Sequence, residues 1–297
     1  MKKMLLIVNP HAGQRKVVKH LAEIIDIFNR ADYEVITHIT AFSGDCENMV
    51  LHYAHKLELV VCCGGDGTFN ETISGVLRSG VDVPVGYIPA GSTNDFASSL
   101  GLSKRILQAA RDIVEGTAER FDVGSFNGRH FSYVASFGAF TRTSYNTPQS
   151  VKNALGHLAY VLSGIQEISQ IKPYHLRFEF PDGNVIEDDF IFGAASNSTC
   201  VGGVLTLAPD RVDMADGLLE VLLVRAPKSL AELTDCLVAL QKQTYNCAMV
   251  SFLSAASVAV TAPETMDWTL DGELQKGIEN IHIQCLHQKL QLVCKRG

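Results

Sequence analysis

The run Leu57 to Cys63 is apolar almost throughout and leads straight into Gly64-Gly65-Asp66-Gly67-Thr68. A strand that is apolar at both odd and even positions offers neither face to water, so it belongs inside a sheet covered on both sides. The surrounding rhythm fits. Met4 to Val8, Glu34 to Ile39 and Val83 to Ile88 read as further strands, while Leu21, Ile24, Ile25 and Phe28, then Met49, Tyr53 and Leu57, fall at helical spacing. Strand and helix in alternation predict right-handed crossovers and an open parallel α/β sheet of the Rossmann-like kind.

Near Phe121 the rhythm changes. Strand candidates now follow one another, with turn signals between them. Asn127-Gly128 follows Arg120 to Phe126, Pro181-Asp182-Gly183-Asn184 separates Leu176 to Phe180 from Val185 to Ala194, and Asp271-Gly272 follows Met266 to Leu270. That pattern predicts an antiparallel β-sandwich, interrupted by helical stretches from Val151 to Ile171 and from Lys228 to Asn246. In the first stretch Val151, Leu155, Leu158, Leu162, Ile165 and Ile168 form one apolar face, read as core packing.

At 297 residues and 46% hydrophobic, the chain can bury a core in each half, and its net charge of -7 lacks the positive field that nucleic-acid binding or a polybasic membrane anchor relies on. Its eight cysteines show no C-x-x-C; adjacent Cys62 and Cys63 would point to opposite faces of a strand as free thiols, which suits a reducing cytoplasm. The apolar N-terminal run stops at Asn9-Pro10, too soon for a signal peptide, and no apolar stretch approaches the ~20 residues of a membrane span. A soluble protein is expected.

The glycines around Asp66 stand between a buried strand and the helical run Phe69 to Leu77, where backbone can approach a ligand closely and free N–H groups meet an anion. Neither G-x-x-x-x-G-K-[ST] nor G-x-G-x-x-G is present. A plainer reading takes Thr68 and Glu71 as a T-x-x-E capping box, and Ser92 with Asp95 as a second cap. Capping does not require three glycines around a carboxylate. In an open parallel sheet ligands sit outside the C-terminal strand ends, so Asn9 to Gly13, Thr40, Gly64 to Thr68 and Pro89 to Asp95 would converge on one site.

These residues resemble a family, the bacterial diacylglycerol-kinase-type lipid kinases, related to the sphingosine and ceramide kinases and more distantly to the NAD kinases. The resemblance is carried by Asn9-Pro10 with Gly13, by Gly64 to Thr68 with Asn70-Glu71, and by Gly91-Ser92-Thr93-Asn94-Asp95-Phe96-Ala97. It continues through Phe121-Asp122-Val123-Gly124, Phe137-Gly138-Ala139-Phe140, Gly156-His157-Leu158-Ala159-Tyr160, Ala215-Asp216-Gly217-Leu218-Leu219 and Asp271-Gly272-Glu273. It implies a nucleotide-binding α/β domain over residues 1–121, a β-sandwich substrate domain over 122–297 whose last residues pack back on the first, and an active site in the cleft between them.

Carried over position by position, Asn9, Pro10, His11, Ala12, Gly13, Thr40, Gly64, Gly65, Asp66, Gly67, Thr68, Phe69, Asn70 and Thr93 would line the ATP site. Asp66, Asp95 and Asp122 match the acidic cluster that holds catalytic Mg²⁺ through water, and Glu273 matches the general base for the lipid hydroxyl. Read without the family, Asp271-Gly272 is a hairpin turn and Glu273 a solvated strand residue. Asp216, with carbonyls of Asp213 and Leu218, matches a structural Mg²⁺ site, or else an ordinary acidic turn.

Ser92 stands where Thr is frequent, and Ala215 removes one carboxylate beside the proposed metal. Arg15 and Lys16 read as a solvated first helical turn, and Trp268 as core. The implied reaction is transfer of the γ-phosphate of ATP to a hydroxyl of diacylglycerol or a related lipid, the alternatives being an NAD-kinase-like enzyme or a nucleotide- or lipid-binding protein without turnover. An enzyme on a bilayer substrate is expected to be cytoplasmic and to visit the inner membrane face transiently, through Phe137 to Pro148. The resemblance leaves room for a homodimer.

Overall fold

The structure, a computed structural model, describes residues 1–92, 94–138, 172–198, 200–201, 205–206, 212–242, 244–245 and 247–295. The chain divides into two compact units, Met1–Asp122 with Gln288–Gly297, and Val123–His287.

The first unit is built on four parallel strands, β1 (Lys2–Val8), β2 (Tyr33–Ile39), β3 (Leu59–Gly64) and β4 (Val85–Pro89), in the order β2-β1-β3-β4. The end of the last strand, β17 (Asn280–Cys294), adds to β4 in parallel through Leu292 and Val85. Alternate residues feed two cores. Met4, Leu6, Val8, Leu59, Val61 and Cys63 share one with Ile24 and Phe28 of α1 (Lys16–Arg30) and with Ala109, Ala110 and Ile113 of α5 (Ile106–Glu115). Cys62 faces the other way, the side on which α2 (Asp45–Tyr53) and α3 (Asp66–Ser79) pack on each other. There Phe69 of α3 stacks on Tyr87 of β4 at 4.4 Å and on Phe96 of the short α4 (Asp95–Ser99) at 4.8 Å. Cys62 and Cys63 are both fully buried free thiols, and burial pushes the Cys63 thiol up to about 12. The apolar run is thus a central strand, as its pattern requires.

Among the described residues the second unit is built from antiparallel pairings. Its strands are β5 (Thr117–Phe126, entering from the first unit), β6 (Arg129–Phe131), β7 (Val134–Gly138), β8 (Tyr174–Glu179), β9 (Val185–Ser196), the small ribbon of β10 (Cys200–Val201) with β11 (Leu205–Thr206), and β12 (Leu219–Arg225). After α6 (Leu230–Gln241) come β13 (Val250–Ala255), β14 (Ser257–Thr261), β15 (Trp268–Leu270) and β16 (Glu273–Gln275). The order runs β16-β15-β7-β9-β8-β14-β17, and β9 also pairs with β12, itself paired with β13. Inward residues of many strands make one core, in which Trp268 packs against Phe126 at 5.2 Å and Phe137 at 4.8 Å.

Phe137 is therefore a core side chain with no exposed surface, which removes it from the expected membrane-contact segment; residues 139–148 lie outside the described residues, as does the helix expected over 151–171.

Candidate active site

Each parallel strand ends in a loop at the same edge of the sheet, and backbone contacts tie these loops together. The Asn9 N–H donates to the Cys63 carbonyl, Thr40 N–H to the Val8 carbonyl, and Ala90 N–H to the Gly64 carbonyl. The Asn9 side-chain amide donates to the Thr68 hydroxyl at 2.9 Å, joining loops 59 residues apart. Glycine is what allows the approach. A Cβ on Gly91 would stand 2.6 Å from the Gly65 Cα, and one on Gly13, whose φ is +50°, would stand 1.8 Å from the Ala90 carbonyl oxygen. Asn94, at φ 52°, closes its own loop: its amide donates to the Gly91 carbonyl and its Oδ1 accepts the Gly91 N–H.

This geometry corrects both capping readings. α3 begins at Asp66 with Gly65 as its N-cap, so Thr68 lies inside the helix with its hydroxyl engaged by Asn9. Glu71 reaches away to accept from the Ser43 hydroxyl and, at 2.7 Å, the Gly44 N–H, which braces the loop that follows Thr40. Asp45 supports the same loop by accepting the Ala41 N–H and contacting His38; burial opposes its ionisation, yet these two partners hold its carboxyl below the usual range. Ser92 is not a cap either, because Asn94 precedes α4 and Asp95 is its first residue.

Asp66 and Asp95 meet at this edge, the Asp95 N–H donating to Asp66 Oδ2 at 3.2 Å. Burial, and after it repulsion from Asp66, raises the Asp95 carboxyl to about 6, with Lys104 pulling the other way. Two carboxylates crowded together in a half-desolvated place are the condition a divalent cation relieves, and an all-oxygen donor set suits Mg²⁺. Asp122 is fully buried at the end of the first unit, where its Oδ1 accepts the Gln288 N–H at 2.6 Å. Among the described residues no three His, Cys, Asp or Glu side chains gather to ligate one ion directly. Of the three aspartates, Asp66 and Asp95 are the two joined by a hydrogen bond. Thr93 and the side chains of Arg15 and Lys16 lie outside the described residues; His11 is exposed beside Asn9, whose Oδ1 accepts its N–H.

In the second unit two tight hairpins present Glu273. Asp271 and Gly272, at φ 50° and 84°, form the two-residue turn between Leu270 and Glu273 that the Asp-Gly pair signalled. The Asp271 side chain does more than turn. Fully desolvated, it accepts from the Ser132 N–H and hydroxyl at 2.5 and 2.7 Å and from the Tyr133 and Val134 N–H groups at 3.0 Å each. Burial lifts its carboxyl to about 6 against the downward pull of these donors. Glu273 itself is half-exposed and paired with Arg129 at 2.8 Å, a partner that no local sequence signal announced.

Asp213 and Asp216 are exposed, and each closes a local turn, Asp213 on the Ala215 N–H and Asp216 on the Leu218 N–H. Each carboxylate thus engages its own turn through one oxygen.

Two family models match successive parts of the chain. A family model described as the diacylglycerol kinase catalytic domain matches residues 3–126, and one described as the YegS C-terminal NAD kinase beta sandwich-like domain matches 134–294. A curated diacylglycerol kinase of Bacillus subtilis is 32% identical over 92% of this chain and 90% of its own, and one of Staphylococcus aureus is 28% identical over 92% and 86%. A solved diacylglycerol kinase structure from Bacillus anthracis superposes with a TM-score of 0.74 at 23% identity, covering 99% of this chain and 97% of that one. A second solved chain from that organism reaches a TM-score of 0.80 at 26% identity, covering 99% and 95%.

Proposed function

Because the chain belongs to the diacylglycerol kinase family and is an ATP-dependent lipid kinase, we propose how its residues divide the work of phosphoryl transfer. The loops Asn9 to Gly13, Thr40, Gly64 to Asn70 and Thr93 hold ATP, with backbone N–H groups at the start of α3 facing phosphate. Asp66 and Asp95, with Asp122, would hold Mg²⁺, which would supply neutralisation of charge on the phosphate oxygens. Glu273 accepts the proton of the lipid hydroxyl as its oxygen forms the new bond to the γ-phosphorus. The bond from that phosphorus to the bridging oxygen breaks, and its electron pair leaves with ADP.

The observation that supports this reading is the convergence of the loops after β1, β3 and β4, glycine against glycine, next to the Asp66–Asp95 pair. The acceptor is diacylglycerol or a lipid with a similarly placed hydroxyl. The test is transfer of labelled γ-phosphate from ATP with Mg²⁺, presenting diacylglycerol, monoacylglycerol, ceramide, undecaprenol, phosphatidylglycerol and NAD in parallel, with Glu273→Gln as control. Label in one lipid, lost in the variant, is the expected result; label that survives in Glu273→Gln removes the base, and label in NAD alone moves the protein to nucleotide chemistry.

Among the described residues no helix is long and apolar enough to cross a membrane. A lipid acceptor then requires a peripheral and transient visit to the inner face. Co-flotation with liposomes containing anionic lipid is expected, and absence of flotation at every lipid composition would argue against it.

A further inference from the structure

Arg129 and Glu273 occupy equivalent places in two separate hairpins. Asn127 and Gly128, at φ 47° and 85°, make a two-residue turn between Phe126 and Arg129, just as Asp271 and Gly272 do between Leu270 and Glu273. Each charged residue is the first after its turn, where the backbone has least freedom left to wander. Both turns are bolted down. Asn127 exchanges backbone and side-chain hydrogen bonds with His282 and donates from its amide to the Asn280 carbonyl, while Asp271 accepts four hydrogen bonds from Ser132 to Val134.

The guanidinium spans the whole of β16. Nη2 donates to Glu273 Oε2 at 2.8 Å, and Nη1 donates at 3.2 Å to both the Leu274 carbonyl and Gln275 Oε1. An exposed ion pair between two freely rotating side chains contributes little. Here the geometry differs, since one planar fork meets three acceptors on one short edge strand and both partners start from locked turns.

We infer that Arg129 is a positioning residue for phosphoryl transfer: it fixes the rotamer of Glu273, tying up Oε2 so that Oε1 is the oxygen presented to the lipid hydroxyl. This rests on the reading of Glu273 as the base. The proton from the hydroxyl passes to Oε1, the new oxygen–phosphorus bond forms and ADP departs, while Arg129 exchanges no proton and touches no substrate. Its effect is therefore conditional. It matters to turnover only while residue 273 carries a carboxylate.

The experiment is a double-mutant cycle on the full chain, measuring kcat, KM for ATP, KM for lipid and Tm for wild type, Arg129→Met, Glu273→Gln and the double variant. Misplacing a reacting group by about 1 Å costs about a hundredfold, so Arg129→Met is expected to lower kcat about tenfold to a hundredfold with both KM values within about threefold. In the Glu273→Gln background the same substitution is expected to change kcat less than about twofold, since it has no base left to orient. Arg129→Lys, which keeps the charge but cannot hold three acceptors, is expected to fall between Met and wild type. It also serves as the folded variant should Arg129→Met unfold.

An equal kcat loss in both backgrounds would overturn the inference and leave Arg129 as a fold residue. So would a fall in Tm with kcat unchanged. A Glu273→Gln enzyme with wild-type kcat would instead remove the base itself, and with it anything for Arg129 to orient; a loss of kcat in Glu273→Gln combined with none in Arg129→Met or Arg129→Lys would spare the base and refute the positioning role alone.

Discussion

Three glycines at the C-terminal edge of the parallel sheet permit a graded test of whether close backbone packing, and not loop flexibility, is what the sequence buries there. A Cβ placed on Gly65 meets the Gly91 Cα at 3.3 Å, one on Gly91 meets the Gly65 Cα at 2.6 Å, and one on Gly13 meets the Ala90 carbonyl oxygen at 1.8 Å. Comfortable carbon–carbon contact is about 3.5–4.0 Å, so Gly65→Ala needs a few tenths of an ångström and Gly91→Ala needs about 1 Å. Overpacking of the second kind costs about 1–3 kcal/mol. Gly13→Ala adds the cost of a left-handed backbone, about 1–2 kcal/mol, to a larger clash. Gly80 supplies the control, because its φ is +69° with nothing within 4 Å, so Gly80→Ala pays the backbone cost alone. Urea unfolding of the ligand-free protein is the assay, because it reads the cost of packing alone. The expected order of destabilisation is Gly13→Ala above Gly91→Ala above Gly65→Ala, read as successively higher urea midpoints. Equal losses at Gly65 and Gly91, or a Gly13→Ala loss no greater than that of Gly80→Ala, would refute the packing argument.

Asp95, raised to about 6 by burial and by Asp66, gives stability that is fully present below its unfolded value near 3.8 and lost as pH rises through about 6. Addition of Mg²⁺ at pH 7 is therefore expected to raise Tm, and Asp66→Asn to lower the Asp95 titration midpoint in a carboxyl NMR titration without metal; an unmoved midpoint would exclude Asp66 as a cause. Asp271→Ala strands three backbone N–H groups and the Ser132 hydroxyl in a buried place, at a cost of about 1–3 kcal/mol for each donor that water cannot reach. A urea midpoint shift equivalent to under about 1 kcal/mol would show that water replaces the carboxylate there.

What could be read in the chain and what could not follows the range of the interactions. The parallel α/β build of the first unit was legible because a strand buried on both faces and its flanking helices each leave a local periodic mark. Both Gly-containing hairpin turns were legible for the same reason: the left-handed backbone at Asn127 and Asp271 is paid for by residues within the turn itself. The helix α5 carries the same kind of local mark, with Ile106, Ala109, Ala110 and Ile113 at helical spacing on the face it turns to the core. The capping box failed on range. Thr68 and Glu71 have the right spacing, but their hydrogen-bond partners, Asn9 for the one and the Ser43 hydroxyl and Gly44 N–H for the other, lie 59 and 27–28 residues away. Arg129 escaped notice likewise, its carboxylate partner being 144 residues distant. The available signal was subtler: a charged residue directly after an Asn-Gly turn and another directly after an Asp-Gly turn.

That signal says something about how such a chain can carry chemistry on short strands. A side chain in the middle of a three-residue strand such as β16 inherits whatever freedom its neighbours have, whereas one adjoining a two-residue turn inherits the turn's restriction. The restriction holds only if the turn is anchored in its own right, and here the hydrogen bonds of an exposed asparagine anchor one turn and a buried carboxylate the other. Asp271 is thus the more costly partner, a desolvated charge maintained so that Glu273, two residues on, can stay half-exposed and still be oriented. A substitution that frees the turn should consequently damage the orientation of Glu273 before it damages the core beneath, because Trp268 and Leu270 are held by their own packing and Glu273 is not.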